Sequence, residues 1–306
     1  MDNKVIFIGG SGRSGTNILR KILSNHSKVA SLPFEHRFII DPDGIIDFYN
    51  SFTLNWSPYQ SDVKIKRLNK FLLNLAIKSE DKSNYMDWEL SEYFPHYIEN
   101  VKKLISNLKS FEYSGSWPGS DKNIKEYKIW FSDFKDIESI KLILRDFIEK
   151  NINNFLEKNG KKYFVEDNTW NILYAKELDD LLPNSKLIHI IRDPRDVVAS
   201  FINQSWCPNE LGYCIKMYKS IMTKWFQVSS YLDKGKIKLV KLEKLVADKE
   251  NEVKKICDFS ELNFENNLLN IDLDMHNSGR WKNEFTQNEQ RLLNNELKAI
   301  VVKLNY

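Results

Sequence analysis

The stretch KVIFIGGSGRSGTNILRKILSN, residues 4–25, decides the fold of this 306-residue chain. Its first residues are apolar and β-branched, which is typical of a short buried parallel strand. Glycines crowd the turn at residues 9–15, and apolar residues then recur at helical spacing between residues 18 and 23. The chain therefore opens with a strand, a glycine-rich loop and a helix.

The same alternation of strand and helix returns after residue 160. Strand patterns occur at KKYFVED (161–167), SKLIHIIR (185–192) and KIKLVKLE (236–243). Helical patterns follow or separate them, at residues 169–182, 194–204, 209–232 and 286–304. Repeated β-α-β units predict an α/β fold in which a parallel sheet is flanked by helices on both faces.

The region from about residue 45 to residue 160 has a different character. It is rich in aromatic residues and contains amphipathic helical patterns at residues 63–78 and 139–158. No internal repeat or low-complexity linker separates it from the rest of the chain. We therefore expect one domain over residues 1–306, with a helical, aromatic-rich insertion that helps to form a substrate pocket.

Composition excludes several classes of protein. Hydrophobic residues make up 42% and charged residues 28% of the chain, and 45 basic against 42 acidic side chains give a net charge of +3. This balance is typical of a globular protein and does not indicate binding to nucleic acid or to a membrane surface. No apolar run approaches the roughly 20 residues that span a bilayer, and no signal-peptide pattern is present.

Cysteine usage points to a reducing compartment. The three cysteines, Cys207, Cys214 and Cys257, form no C-x-x-C pair. Neither a disulfide framework nor a zinc site is expected from this pattern. We therefore expect a cytoplasmic protein, and the sequence does not indicate an oligomeric state.

The glycine loop is suited to an anion. A glycine-rich turn between a strand and a helix points backbone N–H groups into one concavity, beside the positive end of the helix dipole. The nucleoside-triphosphate version of such a loop requires lysine where this chain has Thr16, and it lacks the internal Arg13. Gly10, Gly12 and Gly15 also match the dinucleotide pattern G-x-G-x-x-G, but no ribose-binding acid follows a second strand. A glycine turn without a ligand is the remaining alternative.

A second anion site is predicted at the segment KLIHIIRDPRDVVASF (186–201). Arg192 ends a strand and Ser200 lies on the following helix, so both can reach one phosphate at the carboxyl edge of the sheet. The alternative is that Arg192 forms a strand-end ion pair with Asp193 or Asp196.

Four ordered motifs together resemble the sulfotransferases that use 3′-phosphoadenosine 5′-phosphosulfate (PAPS). GGSGRSGTN (9–17) is similar to the 5′-phosphosulfate loop of tyrosylprotein and many bacterial members, and IRDPRDVVASF (191–201) is similar to the 3′-phosphate motif. LLPNSKLI (181–188) precedes that motif as in the family, and GRWKNEFT (279–286) looks like the family's late segment. The resemblance implies a P-loop-like fold, PAPS as donor, 3′-phosphoadenosine 5′-phosphate (PAP) as product and no required metal.

The resemblance also assigns residues to the donor. In the family, the loop holds the 5′-phosphosulfate, the second motif holds the 3′-phosphate, and the late segment closes over the nucleotide. The positions in this chain that match are Gly12, Arg13, Ser14, Gly15, Thr16, Asn17, Arg192, Ser200, Arg280, Trp281 and Lys282. Arg13 is then the cation that steadies the leaving phosphate and the sulfuryl group.

The acceptor must lose a proton, and SLPFEHRF (31–38) contains two candidate bases. Glu35 matches the glutamate base of the tyrosylprotein-type enzymes, with an arginine two residues later. His36 is the second candidate, because other family members use histidine. The alternative for Glu35 is an ion pair with Arg37. His189, inside an apolar strand, is expected to be a core histidine.

The chain departs from the family after the strand at 161–167. Many relatives have E-K-T-P-x-N where this chain has EDNTWN (166–171), so Asp167 replaces a lysine that assists the leaving phosphate. Lys282 is a candidate replacement for that cation. Glu35, Glu166 and Asp167 together add negative charge near the predicted substrate site, which favours a cationic acceptor. The alternative is that Asp167 caps the helix that starts near Thr169.

The predicted function is transfer of a sulfuryl group from PAPS to an alcohol or amine, with a small-molecule acceptor favoured over a protein. Carbohydrate, peptide tyrosine and small natural product all remain open as acceptors. One alternative is a P-loop kinase that uses ATP, although the missing lysine opposes it. Another is a nucleotide-sensing protein that keeps the loop without turnover.

Overall fold

The computed structural model describes residues 4–78, 89–118, 127–273 and 278–306. Its strands are β1 (Lys4–Gly9), β2 (Val29–Ser31), β3 (Phe111–Ser114), β4 (Lys128–Phe131), β5 (Tyr163–Glu166), β6 (Lys186–Ile191) and β7 (Ile237–Lys241). Its α-helices are α1 (Thr16–Ser24), α2 (Ile45–Leu54), α3 (Pro58–Ala76), α4 (Leu90–Tyr93), α5 (Tyr97–Leu108), α6 (Ile137–Asn159), α7 (Ala175–Leu181), α8 (Pro194–Phe201), α9 (Leu211–Ser229), α10 (Leu242–Ala247), α11 (Lys249–Ser260), α12 (Trp281–Glu284) and α13 (Gln287–Lys303). Short 3₁₀ turns lie at Thr169–Tyr174, Lys234–Lys236 and Asn266–Leu269.

The chain divides into two compact units. The first contains Met1–Phe34, Lys162–Asp179 and Asn184–Tyr306, and the second contains Glu35–Lys161 and Asp180–Pro183. We refer to them as the sheet unit and the helical unit. The expectation of a single domain over residues 1–306 stays a prediction.

The sheet unit contains a five-stranded sheet in the order β2-β5-β1-β6-β7. Every neighbouring pair in it is parallel. β1 lies at the centre because its run Ile6-Phe7-Ile8 is apolar on both faces and is almost completely buried. The predicted α/β fold, with a parallel sheet flanked by helices and a largely helical insertion, is confirmed.

The core of the sheet unit lies between one face of this sheet and helices α1, α10 and α11. Ile8, Ile190 and Val240 come from three adjacent strands and pack in one cluster with Leu19 and Leu23 of α1. Full burial of each such aliphatic side chain contributes about 1.5–3 kcal/mol. The helical spacing of α1 therefore fixes it, and the loop before it, on the sheet.

Strand register brings the predicted site residues to one edge of the sheet. Phe7 of β1 pairs with Glu166 of β5, and Gly9 of β1 pairs with His189 of β6. The glycine loop leaves β1 at Gly9, and Arg192 directly follows β6. Parallel strands place their carboxyl ends at a common edge, so the loop, Glu166 and Arg192 lie together there.

The helical unit contains α2 to α6 and the antiparallel hairpin β3–β4. Phe38, Phe94 and Tyr97 form an aromatic core with Phe147 of α6, with ring centroids 5.8–6.2 Å from that of Phe38. The predicted helices at 63–78 and 139–158 are observed as α3 and α6.

The hairpin β3–β4 was not anticipated from the sequence, because its strands are only four residues long and give too short a periodic signal. A buried carboxylate on α3 secures this part of the helical unit. Asp62 accepts hydrogen bonds from Trp117 Nε1 at 2.9 Å, from Tyr127 Oη at 3.0 Å and from the backbone N–H of Trp130 at 2.8 Å. Local sequence carries no sign of these contacts, because they join residues more than fifty positions apart.

Two further features of the sheet unit differ from the sequence-based prediction. β2 is only three residues long and forms an edge of the sheet, which is too short for a periodic signal. The predicted helix over 169–182 begins as a 3₁₀ turn and becomes α-helical only at Ala175. The side chain of Asn168 caps this turn by accepting a hydrogen bond from the N–H of Trp170. Asn171 Nδ2 fixes the turn to β1 by donating a hydrogen bond to Ile8 O at 2.9 Å.

His189 lies in the middle of β6 with no solvent exposure. Its ring is 4.4 Å from that of Trp225, and among the described residues neither ring nitrogen has a hydrogen-bond partner. Burial lowers the pKa of His189 from 6.5 to about 3. Between pH 3 and pH 6.5 the unfolded chain therefore binds a proton at His189, and the folded chain does not. The free energy of unfolding has its full value above pH 6.5 and decreases as the pH falls towards 3.

When the pH falls from 7 to 5, we expect His189→Phe to lose about 2 kcal/mol less of its free energy of unfolding than the wild type loses. Urea unfolding of both proteins at the two pH values measures this difference. Comparing each protein with itself cancels any change in packing that phenylalanine introduces. Equal losses of stability in the two proteins would show that folding does not lower the pKa of His189.

Candidate active site

The glycine loop between β1 and α1 is built for close approach of a ligand to the backbone. Gly12, Arg13 and Gly15 have left-handed φ values of 85°, 56° and 109°. A Cβ on Gly10 would lie 2.1 Å from Ser14 Oγ and 2.9 Å from Ile190 O, so only glycine fits there. The loop geometry therefore depends on its glycines.

The loop also presents donors without internal acceptors. No side chain caps α1, so the N–H groups of its first turn are not satisfied by a cap. Ser14 Oγ is buried and has no hydrogen-bond partner among the described residues. A buried hydroxyl and uncapped N–H groups at a helix N-terminus fit an anionic group such as a phosphate or sulfate.

The loop and the predicted 3′-phosphate motif are in direct contact. Arg13 Nε donates a hydrogen bond to Ser200 Oγ at 3.0 Å. Arg192 Nη1 lies 3.4 Å from the backbone oxygen of Arg13. Two segments that are almost 190 positions apart in sequence thus form one continuous, cationic surface.

The surroundings of Arg192 favour a bound anion. Burial lowers the pKa of the Arg192 guanidinium, and the charges of Arg280 and Arg13 act in the same direction, whereas Asp196 and Glu243 oppose them. The alternative pairing with Asp196 is present as a long ion pair, with Nη2 of Arg192 3.9 Å from Asp196 Oδ2 and too far for a hydrogen bond. Arg192 is thus attracted by two carboxylates and repelled by two arginines, and a bound anion would add to the attraction.

The alternative pairing of Arg192 with Asp193 is not what the structure shows. Asp193 caps α8 through the N–H of Arg195 and pairs with the Arg195 guanidinium at 2.7 Å. The N–H of Asp193 in turn donates to Glu243 Oε1 at 2.8 Å. These contacts fix the segment that carries Arg192.

Asp196 holds the late segment against α8. Its carboxylate accepts hydrogen bonds from the N–H of Gly279 at 2.7 Å and from the N–H of Trp281 at 3.2 Å. The Trp281 ring is buried beneath the Arg195 guanidinium, whose carbon is 4.5 Å from the ring centroid. Burial raises the pKa of Asp196, against the two N–H donors and Arg192.

The two other predicted late residues lie beside Trp281. Arg280 pairs with Glu284 through two hydrogen bonds of 2.7 and 3.0 Å. Lys282 Nζ is 5.7 Å from the Trp281 ring centroid. The predicted roles of Arg280, Trp281 and Lys282 in holding the nucleotide stay predictions.

Glu166 and Asp167 are both buried at the end of β5. Glu166 accepts hydrogen bonds from the N–H of Asn168 and from Asn171 Nδ2. Asp167 accepts from Arg20 Nε at 3.0 Å, and the side chain of Asn17 also lowers the pKa of Asp167. Asp167 therefore does not cap the following turn, a role that falls to Asn168.

The ion pair of Arg20 and Asp167 was not anticipated from the sequence. Both side chains are at most 9% exposed, and Arg20 Nη1 also donates to Leu32 O at 3.0 Å. Burial raises the pKa of Asp167, and Arg20 opposes this shift. A signal existed, because Arg20 lies on the buried face of α1 with Thr16 and Leu23, where a cation requires a partner. The charge of Asp167 is thus compensated inside the sheet unit.

The two candidate bases belong to the helical unit. His36 is buried and stacks on Phe38 with ring centroids 4.4 Å apart, and burial lowers its pKa to about 3. A histidine with that pKa is a weak base at neutral pH. Arg37 pairs with Asp41 at 2.8 Å. The roles of Glu35 and His36 stay predictions.

Two general features complete the description of the site. Across the described ranges, no group of three or more His, Cys, Asp or Glu side chains is placed to hold a metal ion. Within the same residues, no helix has the length and hydrophobicity needed to cross a bilayer.

Comparisons with known proteins agree with the motifs. A family model described as the sulfotransferase family matches residues 5–266. The sulfotransferase domain from the curacin biosynthetic pathway is 16% identical, with a TM-score of 0.51 over 97% of this chain and 98% of that chain. The sulfotransferase domain from the Synechococcus PCC 7002 olefin synthase is also 16% identical, with a TM-score of 0.48 over 97% and 94% of the two chains. A sequence search of curated proteins found no match.

The family match covers most of the chain, including the glycine loop and the Arg192–Ser200 motif. The structural likeness to the curacin-pathway domain shows the same fold. The resemblance seen in the motifs is therefore confirmed: the chain belongs to the sulfotransferase family and is a sulfotransferase enzyme.

Proposed function

We propose that this enzyme transfers a sulfuryl group from PAPS to the hydroxyl or amine of a small-molecule acceptor. The observation that carries the proposal is the contact of the two anion sites, with Arg13 Nε 3.0 Å from Ser200 Oγ. PAPS carries one anionic group at each end of its ribose. Two adjacent sites on one cationic surface match this arrangement, whereas ATP has no 3′-phosphate to occupy the second.

The residues present fit the donor. The N–H groups of the loop and of the first turn of α1, with Ser14 Oγ, would hold the 5′-phosphosulfate. Arg192 and Ser200 would hold the 3′-phosphate. Ser200 Oγ accepts from Arg13, so its own proton stays available for a phosphate oxygen.

The chemistry needs charge stabilisation and a base. The acceptor oxygen or nitrogen bonds to sulfur while the bond from sulfur to the leaving phosphate oxygen breaks, and the acceptor proton passes to a base. Arg13 supplies a cation at the point where the leaving phosphate gains charge. Glu35 is the predicted base. A sulfuryl group carries less charge than a phosphoryl group, so we propose that the enzyme needs no metal ion.

The acceptor class follows from the same residues. The sequence predicts a cationic acceptor because Glu35, Glu166 and Asp167 add negative charge. In the structure Arg20 neutralises Asp167, which removes one of the three charges from that argument. The charge argument for an amine over a neutral alcohol is therefore weaker.

Isothermal titration calorimetry with PAP and with AMP tests the donor assignment, because the two nucleotides differ only in the 3′-phosphate. We expect PAP to bind about 10- to 100-fold tighter than AMP, since charge-assisted hydrogen bonds contribute about 1.5–3 kcal/mol. Arg192→Ala is expected to remove most of this difference and to leave AMP binding unchanged. Equal affinities for PAP and AMP in the wild type, or tighter binding of ATP with Mg²⁺, would contradict the proposal.

A further inference from the structure

Two tryptophans flank the glycine loop in the sheet unit. A Cβ on Gly12 would lie 3.1 Å from Cη2 of Trp206, so this indole covers the loop one residue before Arg13. The rings of Trp206 and Trp170 meet edge to face with centroids 6.4 Å apart. Trp206 is 46% exposed, although exposure of so large an aromatic side chain has a cost in water. The loop thus lies beside an accessible aromatic surface.

Both tryptophans are held in place by the site itself. The Trp206 ring packs on buried Phe201, the last residue of α8, with centroids 5.3 Å apart. Trp170 follows Thr169, whose backbone oxygen accepts a hydrogen bond from the N–H of Gly10 at 3.0 Å. The two indoles are therefore positioned by the segments that carry Ser200 and the loop. A surface prepared in this way can bind a ligand without ordering new side chains.

The charge around this surface disfavours a cation. Arg13 is exposed and directly follows Gly12, so a cation stacked on Trp206 would meet the positive charge of its guanidinium. Asp167, a buried carboxylate three positions before Trp170, is neutralised by Arg20. An indole face binds flat apolar and aromatic groups through stacking and burial of surface. The surroundings of Trp206 therefore select for a flat, uncharged group.

We infer that Trp206 and Trp170 form the acceptor-binding wall of this enzyme and select a neutral alcohol with a flat apolar face. The inference rests on the proposed function, because the wall is an acceptor site only if the loop holds the sulfuryl donor. A flat acceptor against Trp206 has its hydroxyl beside Arg13. Trp206 and Trp170 are then specificity-determining residues rather than catalytic ones.

Titration of probe alcohols into the PAP-saturated enzyme tests the inference. The probes are 2-naphthol and decahydro-2-naphthol, which have the same carbon skeleton but differ in flatness. We expect 2-naphthol to bind about 10-fold tighter than its saturated analogue. A second pair, tyramine and 4-ethylphenol, differs mainly in the ammonium group, and we expect the neutral member to bind at least as tightly.

Variants then locate the binding site. Trp206→Ala is expected to weaken 2-naphthol binding about 10-fold, and Trp206→Phe, which keeps a ring, to stay within about 3-fold of the wild type. Tyr231→Ala is the matched control, because Tyr231 is a 70% exposed aromatic residue of the same unit that precedes the amino end of β7. PAP affinity is expected to be the same in all four proteins.

Several outcomes would overturn the inference. They are failure of 2-naphthol to bind the wild-type PAP complex, equal binding to Trp206→Ala, and tighter binding of tyramine than of 4-ethylphenol. Loss of PAP affinity in Trp206→Ala would assign the tryptophans to adenine instead. Failure of the wild type to bind PAP is a separate result, which rejects the proposed function and the acceptor wall together.

Discussion

Replacing Arg13 with methionine is expected to lower kcat for sulfuryl transfer about 10²- to 10³-fold, as removal of one preorganised donor to a developing oxyanion does in other enzymes. Arg13 is the exposed cation of the loop and is oriented by Ser200 Oγ at 3.0 Å. Its charge matters most when the bond from sulfur to the phosphate oxygen breaks. The affinity for PAP should change less than kcat, because the loop N–H groups and Arg192 remain.

The measurement is the rate of PAP formation from PAPS, with 2-naphthol as acceptor and with water alone. Arg291→Met is the matched control, because Arg291 is exposed on α13 in the same unit. If Arg13→Met turned over at the wild-type rate, Arg13 would have no role in the chemical step. A loss that appears only as weaker PAP binding would make Arg13 a binding residue instead.

Replacing Arg20 with methionine is expected to lower the free energy of unfolding by about 3–5 kcal/mol, because it leaves a buried carboxylate without its partner. Asp167 is 4% exposed, and burial already raises its pKa. The double variant Arg20→Met/Asp167→Leu removes both charges, so we expect it to be more stable than Arg20→Met. A buried pair replaced by apolar residues is often neutral in stability.

Urea unfolding of Arg20→Met, Asp167→Leu, the double variant and the wild type measures this coupling. Lys254→Met is the matched control, because the pair of Lys254 and Glu250 has side chains 50% and 58% exposed. Loss of that exposed pair should leave stability unchanged. Additive effects of Arg20→Met and Asp167→Leu would show that the two residues do not interact.

The parts of the site that follow from the sequence are those with local signals. Glycine spacing in residues 9–15 predicts an anion loop, and Arg192 directly follows an apolar strand. Because parallel strands end at one edge, these two features alone predict that the sites are neighbours. The contact of Arg13 with Ser200 agrees with that expectation.

The parts that the sequence does not reveal depend on partners far along the chain. Arg20 meets Asp167 across 147 positions, and Asp196 meets the late segment across 83. The position of Arg20 on the apolar face of α1 signals a buried cation, but it does not identify the partner. Asp167 therefore looked like uncompensated charge until the fold placed Arg20 beside it, and the acceptor prediction changes with it. The covering of Gly12 by Trp206 is likewise a product of tertiary packing.

A crystal structure of the enzyme with PAP tests the central claim most directly. The account predicts the 5′-phosphate on the N–H groups of the loop and the 3′-phosphate within hydrogen-bond distance of the Arg192 guanidinium and Ser200 Oγ. A 3′-phosphate pointing to solvent, with Arg192 unengaged, would contradict the assignment of the two anion sites to one nucleotide.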